Sequence, residues 1–430
     1  MWTPERSQTG CRMGIRVYVG LLVSGSVFFS FIQTISFRKR ATAIQSESWK
    51  ISVLSIASSS RYIYTVSKQE SSPTNALHLP HFHLSKFLGR PVGPVKANST
   101  QPRKKMVTVA LAGATTGLGL TILRHLVSSS NKTHKLILLS RSPQPAWTAC
   151  GVFVRQVDYT SPETLIAALQ GVHTVLSLIG GSAAALRDGQ LALVAAAKQA
   201  GVKRFAPSEF SLRGGGYELD LYAGKREVWD AVVGSGMEFT RFSCGIFMGF
   251  LGTGTPKGVS GVGEGEGAGS GEEEALGGLR AWDFVVNVRN GTGDFPGDGR
   301  AAVGFTDTRD VARFVEGALG LERWGKEMGM RGDVLDWRQV VGVLERVQGR
   351  RFLWRENGVG EMERVAREVE GKRFYNQVRI ALVNGEGLVG DELNRAFPNI
   401  KPVGVEEFVR KWWEGVELGE AKWEEDRSFM

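Results

Sequence analysis

The sequence predicts an α/β fold, a doubly wound parallel sheet with a smaller C-terminal substrate-side region. Three observations predict it. Short apolar strands alternate with helix-patterned segments from Met106 onward, a glycine turn follows the first strand, and the alternation ends near residue 250 at a Gly/Glu-rich stretch. Strands separated by helices at this spacing form parallel sheets, because a parallel pair needs a crossover long enough to hold a helix.

Val107–Ala112 reads as the first buried strand and Leu118–Val127 as the helix after it. Lys135–Ser140 and Val152–Gln156 are the next strands, Pro162–Leu169 a helix, Thr174–Ile179 a fourth strand. Ala183–Ala200 is a long Ala-rich helix and Lys203–Ala206 a fifth strand. Beyond residue 282 the elements are Phe284–Val288, Gly293–Asp298, a helix Thr308–Leu321 and amphipathic segments ending in Val405–Trp413. The chain divides into a basic leader (1–105), a nucleotide-binding domain (106–250), a Gly/Glu-rich insertion (251–282) and a C-terminal substrate-side region (283–430). The insertion is expected to be a surface loop without chemistry.

Charge is concentrated in the leader. Residues 1–105 carry 15 Lys/Arg against three acids, a net of +12, so with a whole-chain charge of +9 the remainder nets −3. The basic character therefore belongs to the leader, and no nucleic-acid-binding face is expected on the body. Val17–Phe37 is an uncharged, mostly apolar run of 21 residues flanked by Arg12 and Arg16 and by Arg38-Lys39-Arg40. Its length suits a bilayer-spanning helix, and the larger positive cluster on its C-terminal side would leave the body in the cytosol. A targeting leader and a non-native extension are the competing readings. Residues 41–105 read as a linker. Three dispersed cysteines make neither a disulfide framework nor a metal pattern, and His78, His81 and His83 lack a thiol or carboxylate nearby, so no metal is expected.

Gly113-Ala-Thr115-Thr116-Gly117-Leu118-Gly119 follows the first strand and opens a helix. A chain holding 55 glycines produces this spacing roughly once by accident, so the first βα turn, where a Rossmann-type fold seats a pyrophosphate, is what gives it weight. The cofactor follows from what ends the second strand. An NAD site places an acid there for the ribose 2′-hydroxyl, whereas this chain has Ser140-Arg141-Ser142 and no acid from Met106 to Val157. A guanidinium at that point suits the 2′-phosphate, so NADP(H) is the expected cofactor. Asp158, after the third strand, is a candidate for the adenine edge, and Gly180 for close backbone approach.

The fifth strand runs into Lys203-Arg-Phe-Ala-Pro-Ser208-Glu-Phe210. With the glycine loop, this string resembles the NmrA-like and isoflavone-reductase-like branch of the short-chain dehydrogenase/reductase superfamily. The resemblance extends through Met237–Phe242, Gly245–Met248, Phe295–Gly299, Phe305–Val311, Phe397–Pro402 and Trp412-Trp413. One departure is an extra residue before the second glycine, a spacing similar to that of the main superfamily. The resemblance implies a lysine on the helix after the fifth strand, matched by Lys225, that polarises or protonates the developing oxyanion. Tyr222, three residues earlier, lies on or near the same helical face and is a candidate proton donor. Ser208 is a candidate contact to substrate or nicotinamide, and Phe210, Phe247 and Met248 are candidate pocket residues. These readings imply an NADPH-dependent reductase of a small aromatic or polyketide-like molecule, with a non-catalytic redox sensor as the alternative. Oligomeric state is not readable.

Overall fold

The computed structural model describes residues 106–129, 134–258 and 271–423, together with four backbone strands in the leader. Residues 1–96 and 97–430 form two separate units. In the first, Arg12–Val23 pairs antiparallel with Ser26–Arg38, and Trp49–Ser55 with Tyr62–Lys68. The run 17–37, expected to be a membrane-crossing helix, thus lies across two strands. Its β-branched and aromatic residues favour extended backbone, and among the described residues no helix is long and apolar enough to cross a membrane. His78, His81 and His83 lie outside the described residues.

The second unit is built on a six-stranded sheet. Its strands are β1 (Thr108–Ala112), β2 (Lys135–Ser140), β3 (Phe153–Gln156), β4 (Thr174–Ser177), β5 (Arg204–Ala206) and β6 (Glu238–Phe239). They lie in the order β3-β2-β1-β4-β5-β6, every pair parallel. This is the doubly wound order, with its crevice at the C-terminal ends of β1 and β4 where the winding reverses.

The α-helices up to residue 319 are α1 (Gly117–Ser128), α2 (Pro145–Ala149), α3 (Pro162–Leu169), α4 (Gln190–Gln199), α5 (Ala223–Val233), α6 (Gly271–Leu276) and α7 (Thr308–Leu319), and five more follow between Trp337 and Trp413. Alternation along β1 decides which of them covers which face. Val109 and Leu111 point into a core with Ile122 and Leu123 of α1 and Phe314 and Val315 of α7. Ala110 and Ala112 face Leu165 of α3, Leu193 of α4 and Val228 of α5. Each large apolar side chain buried this way is worth about 1.5–3 kcal/mol, and a one-residue slip of β1 would press its large side chains into the face packed around Ala110 and Ala112 while leaving voids on the other. α7 therefore completes the nucleotide-binding layer although it follows the insertion in sequence. Asp307 caps it by accepting from the Arg309 N–H at 2.7 Å.

The remaining chain forms small sheets rather than a second wound one. Arg241–Ser243 pairs with Glu327–Gly329; Ile246–Phe247, Val303–Thr306 and Asp333–Leu335 make a three-stranded sheet, as do Val286–Asn287, Thr292–Pro296 and Leu353–Asn357. The two three-stranded sheets share a core with Trp337, Tyr375 and Trp413, whereas Phe242 and Met328 of the first pair join the core of α1 and α7.

Candidate active site

The glycine loop is shaped by close backbone packing. Gly113 has φ +77°, and a Cβ there would stand 2.7 Å from the Leu178–Ile179 backbone at the end of β4. Gly119 lets α1 sit on the loop, since its Cβ would meet the Gly113 carbonyl at 2.6 Å and the Leu178 Cβ at 3.1 Å. Gly117 opens α1 at φ +59°. Thr116, the N-cap residue, makes no side-chain cap, so the first-turn N–H groups stay available to an anion.

In front of this loop lies a groove of about 520 Å³ lined by Gly113, Thr115, Thr116, Arg141, Asp158 and Gly180, six of the nine cofactor positions expected from sequence. Gly117, Leu118 and Gly119 are not on its wall: Leu118 packs partly buried against the α1–α7 core. A Cβ on Gly180 would meet nothing within 4 Å, so its value is an open backbone rather than relief of a clash. Arg141 lies at the end of β2 beside Ser140, Ser142 and Gln144, which share hydrogen bonds of 3.3 Å. The Asp158 carboxylate is turned onto its own loop, accepting from the Thr160 N–H at 2.8 Å and its hydroxyl at 2.7 Å, and these bonds hold it below the usual carboxylate range. Asp158 therefore offers a ligand mainly its place on the wall. Gln144 and Tyr159, which carry no motif in the sequence, also line that wall.

At the C-terminal end of β5 the character changes from open backbone to buried charge. Lys225, in the first turn of α5, is 4% exposed, and burial pushes its amine below the usual lysine range against the opposing pull of Glu209. Its Nζ stands 4.0 Å from the centre of the Tyr222 ring. Lys225 thus meets the face of Tyr222, while desolvation pushes the Tyr222 phenol, which is paired with Ser211, up to about 12. Ser208 is fixed through its backbone: its N–H donates to Gln190 Oε1 at 2.8 Å, and the Ser177 hydroxyl donates to the same oxygen at 2.8 Å. Gln190 is fully buried and ties the ends of β4 and β5 together. Its place in an Ala-rich helix gave no sequence signal for that role.

Glu209, next in the same string, is completely buried, and burial pushes its carboxyl up to about 7 although Lys225 and Arg241 pull the other way. Of the candidate pocket residues, Phe210 and Met248 belong to the core, Phe210 stacking on Phe242 at 5.5 Å. Phe247 stays partly exposed and meets Phe250 edge-on at 6.2 Å. From there a partly buried aromatic series runs through Phe250, Trp282 and Phe374 to Tyr222, in steps of 5.2, 6.2 and 5.5 Å.

Topology, glycine loop and groove together define a dinucleotide-binding protein of the Rossmann type. Residues 104–255 match the NmrA-like family. Among curated proteins, "Oxidoreductase BOA1" of Botryotinia fuckeliana is 29% identical over 257 residues, 57% of this chain and 78% of its own. "Oxidoreductase swnN" of Metarhizium robertsii is 26% identical across 72% of this chain and 98% of its own, and an isoflavone reductase of Glycine max 23% across 61% and 79%. Among solved structures, AtPrR2 with NADP+ and (+)pinoresinol superposes with a TM-score of 0.56 at 19% identity, over 72% of this chain and all but 1% of that one. The NADPH complex of leucoanthocyanidin reductase from Vitis vinifera gives 0.55 at 19%, over 71% and 99%. Over residues 104–255 the chain is thus similar to the NmrA-like family, and its relatives include isoflavone reductases.

Proposed function

We propose that this chain is an NADPH-dependent reductase that transfers hydride to a carbonyl or activated C=C of a small aromatic or polyketide-like molecule. The observation that carries this reading is Lys225, a lysine withdrawn from water at the carboxyl end of the parallel sheet, where open α/β folds bind ligands. NADPH fits the groove: the loop places bare glycine backbone and an uncapped helix start where a pyrophosphate binds, and Arg141 stands at the end of β2 where a 2′-phosphate would lie. When bound, NADPH supplies the hydride.

The chain's own residues then have three tasks. Gly113, Thr115, Thr116 and Arg141 bind and orient the cofactor, with Gly117 and Gly119 shaping the turn behind them. Lys225 polarises the acceptor and supplies the proton that balances the hydride. The aromatic series from Phe247 to Tyr222 offers flat apolar faces to an aromatic acceptor and keeps water away. The named relatives are oxidoreductases and an isoflavone reductase, which supports the same reading.

The test is whether the purified chain oxidises NADPH with a panel of quinones, enones and ketones. Tight NADPH binding with no turnover across that panel would favour a non-catalytic redox sensor. The one feature that speaks for the sensor is Tyr222, which stands three rather than four residues before Lys225 and presents its ring face.

A further inference from the structure

The Gly/Glu-rich stretch, read from sequence as a surface loop without chemistry, runs through α6 to the pair Gly277-Gly278. Those two glycines lie against the start of α1. The Gly277 carbonyl accepts from the Thr121 hydroxyl of α1 at 2.6 Å and from the Thr308 hydroxyl, which opens α7, at 3.0 Å. One carbonyl thus joins the beginnings of the two helices that cover the Val109–Leu111 face. Gly278 (φ +89°) packs closer still: a Cβ there would stand 2.7 Å from the Gly117 carbonyl and 2.9 Å from the Thr121 hydroxyl. At Gly277 (φ +57°) a Cβ would strike the Thr308 hydroxyl. Only glycine fits either place, so backbone is pressed on backbone beside the cofactor turn. The pair is itself held from behind. α6 packs on Met248–Gly252, where a Cβ on Gly252 would meet the Ala275 Cβ at 2.6 Å and one on Gly249 the Leu276 carbonyl at 2.9 Å. Lys411 pairs with Glu274 at 3.0 Å, and the Arg309 guanidinium donates to the Glu274 carbonyl.

We propose that Gly277-Gly278 is a positioning element of the dinucleotide site: a buttress, drawn from the insertion, that holds the first turn of α1 in the shape a pyrophosphate needs. The loop from Gly113 to Gly117 is one residue longer than in the branch it resembles, and a longer loop has more conformations from which the N–H groups at the helix start must be gathered. Every conformation that points those groups elsewhere lowers the apparent affinity by the fraction of time it takes up. Contact with Gly278 removes that freedom at Gly117, whose φ of +59° turns the loop into the helix. The bond from Thr121 to Gly277 fixes the turn that follows. Neither glycine is on the groove wall, so both act through Gly117 and Thr121 rather than on the ligand. The proposal rests on the cofactor part of the reading above and requires only that NADP(H) bind, so it holds whether or not hydride is transferred.

The experiment titrates the full-length chain with NADPH, NADH and 2′-AMP, the last carrying the adenosine and the 2′-phosphate but no pyrophosphate. Gly278→Ala should weaken NADPH and NADH by the same factor, about tenfold or more, while 2′-AMP stays within about twofold. Thr121→Val removes the hydroxyl at nearly constant shape and should weaken both nicotinamides about three- to tenfold. In the unliganded Thr121→Val chain the Leu120 amide, which donates to the Thr116 carbonyl at 3.1 Å, should exchange its hydrogen about threefold faster or more. A merely structural contact would lower Tm and leave the affinity of the folded fraction unchanged, so unmoved NADPH affinity in variants that fold by circular dichroism overturns the proposal. An equal loss of 2′-AMP affinity overturns it as well, since that would report damage to the whole groove. Should Gly278→Ala fail to fold, Thr121→Val carries the same test by itself. The cofactor reading fails separately: a parent that binds neither nicotinamide removes it, whereas a parent and variants that bind both equally well remove only the buttress.

Discussion

The glycine-loop groove and the buried cluster beside β5 are built on opposite principles. The dinucleotide end is backbone: glycines pressed against β4, an uncapped helix start, and one cation on the rim at Arg141. The cluster beside β5 is side chain: Glu209, Lys225 and Arg241 are all nearly or fully buried and come from the loop after β5, from α5 and from the strand Arg241–Ser243. Binding a phosphate asks for N–H groups held in place, which a short contiguous segment can supply. Moving a proton asks for a group whose two protonation states lie close in free energy, and burial among several partners is how a fold arranges that.

Breaking the buried end should have the largest effect. Lys225→Met is expected to lower kcat about 10²–10³-fold while leaving NADPH affinity within about twofold, the usual weight of a positioned acid–base group. Steady-state rates beside a fluorescence titration of NADPH check it, and parallel losses of rate and affinity would merge the two ends into one. The backbone end breaks differently. Gly113→Ala forces a Cβ against Leu178–Ile179 at φ +77° and should cost about 2–4 kcal/mol, with cofactor binding lost alongside. Thermal melts with and without NADPH read both, and a variant still shifted upward by NADPH like the parent would show that the turn tolerates change.

Arg141→Ala sharpens the comparison without disturbing the fold. A charge-assisted contact is worth about 1.5–3 kcal/mol, so NADPH affinity should fall roughly 10–100-fold with NADH affinity unmoved. Equal loss for both nicotinamides would place Arg141 away from the 2′-phosphate.

The same contrast explains what could be read before the structure. Pro162–Leu169 and Val405–Trp413 fall at the bounds their periodicity indicates, because local pattern and tertiary burial agree there. The groove was legible through Gly113, Arg141 and Gly180 because its residues follow strand ends whose order the alternation reveals. Glu209 stood inside the string that carried the resemblance, yet its burial depends on Gly215 and on Arg241 from another strand. Phe210 and Met248 show the converse, apolar residues beside the expected site that the packing takes into the core. Asp158 turned onto Thr160 because a short acid in a turn finds its nearest N–H first.

The smallest expected effect falls on Tyr222, and it separates a ring from a hydroxyl. Tyr222→Phe keeps the face that Lys225 meets at 4.0 Å and removes a phenol that burial makes a poor acid. If the aromatic face is what matters, kcat should stay within about threefold, and only Tyr222→Ala should lower it further by loosening Lys225 and its contact with Phe374. If instead Tyr222→Phe costs about a hundredfold or more, the typical weight of a lost general acid, the hydroxyl is the donor and Lys225 merely orients it. That outcome would move the proposed proton source from Lys225 to Tyr222, the residue just before α5, and with it the dividing line between what is proposed to bind and what is proposed to react.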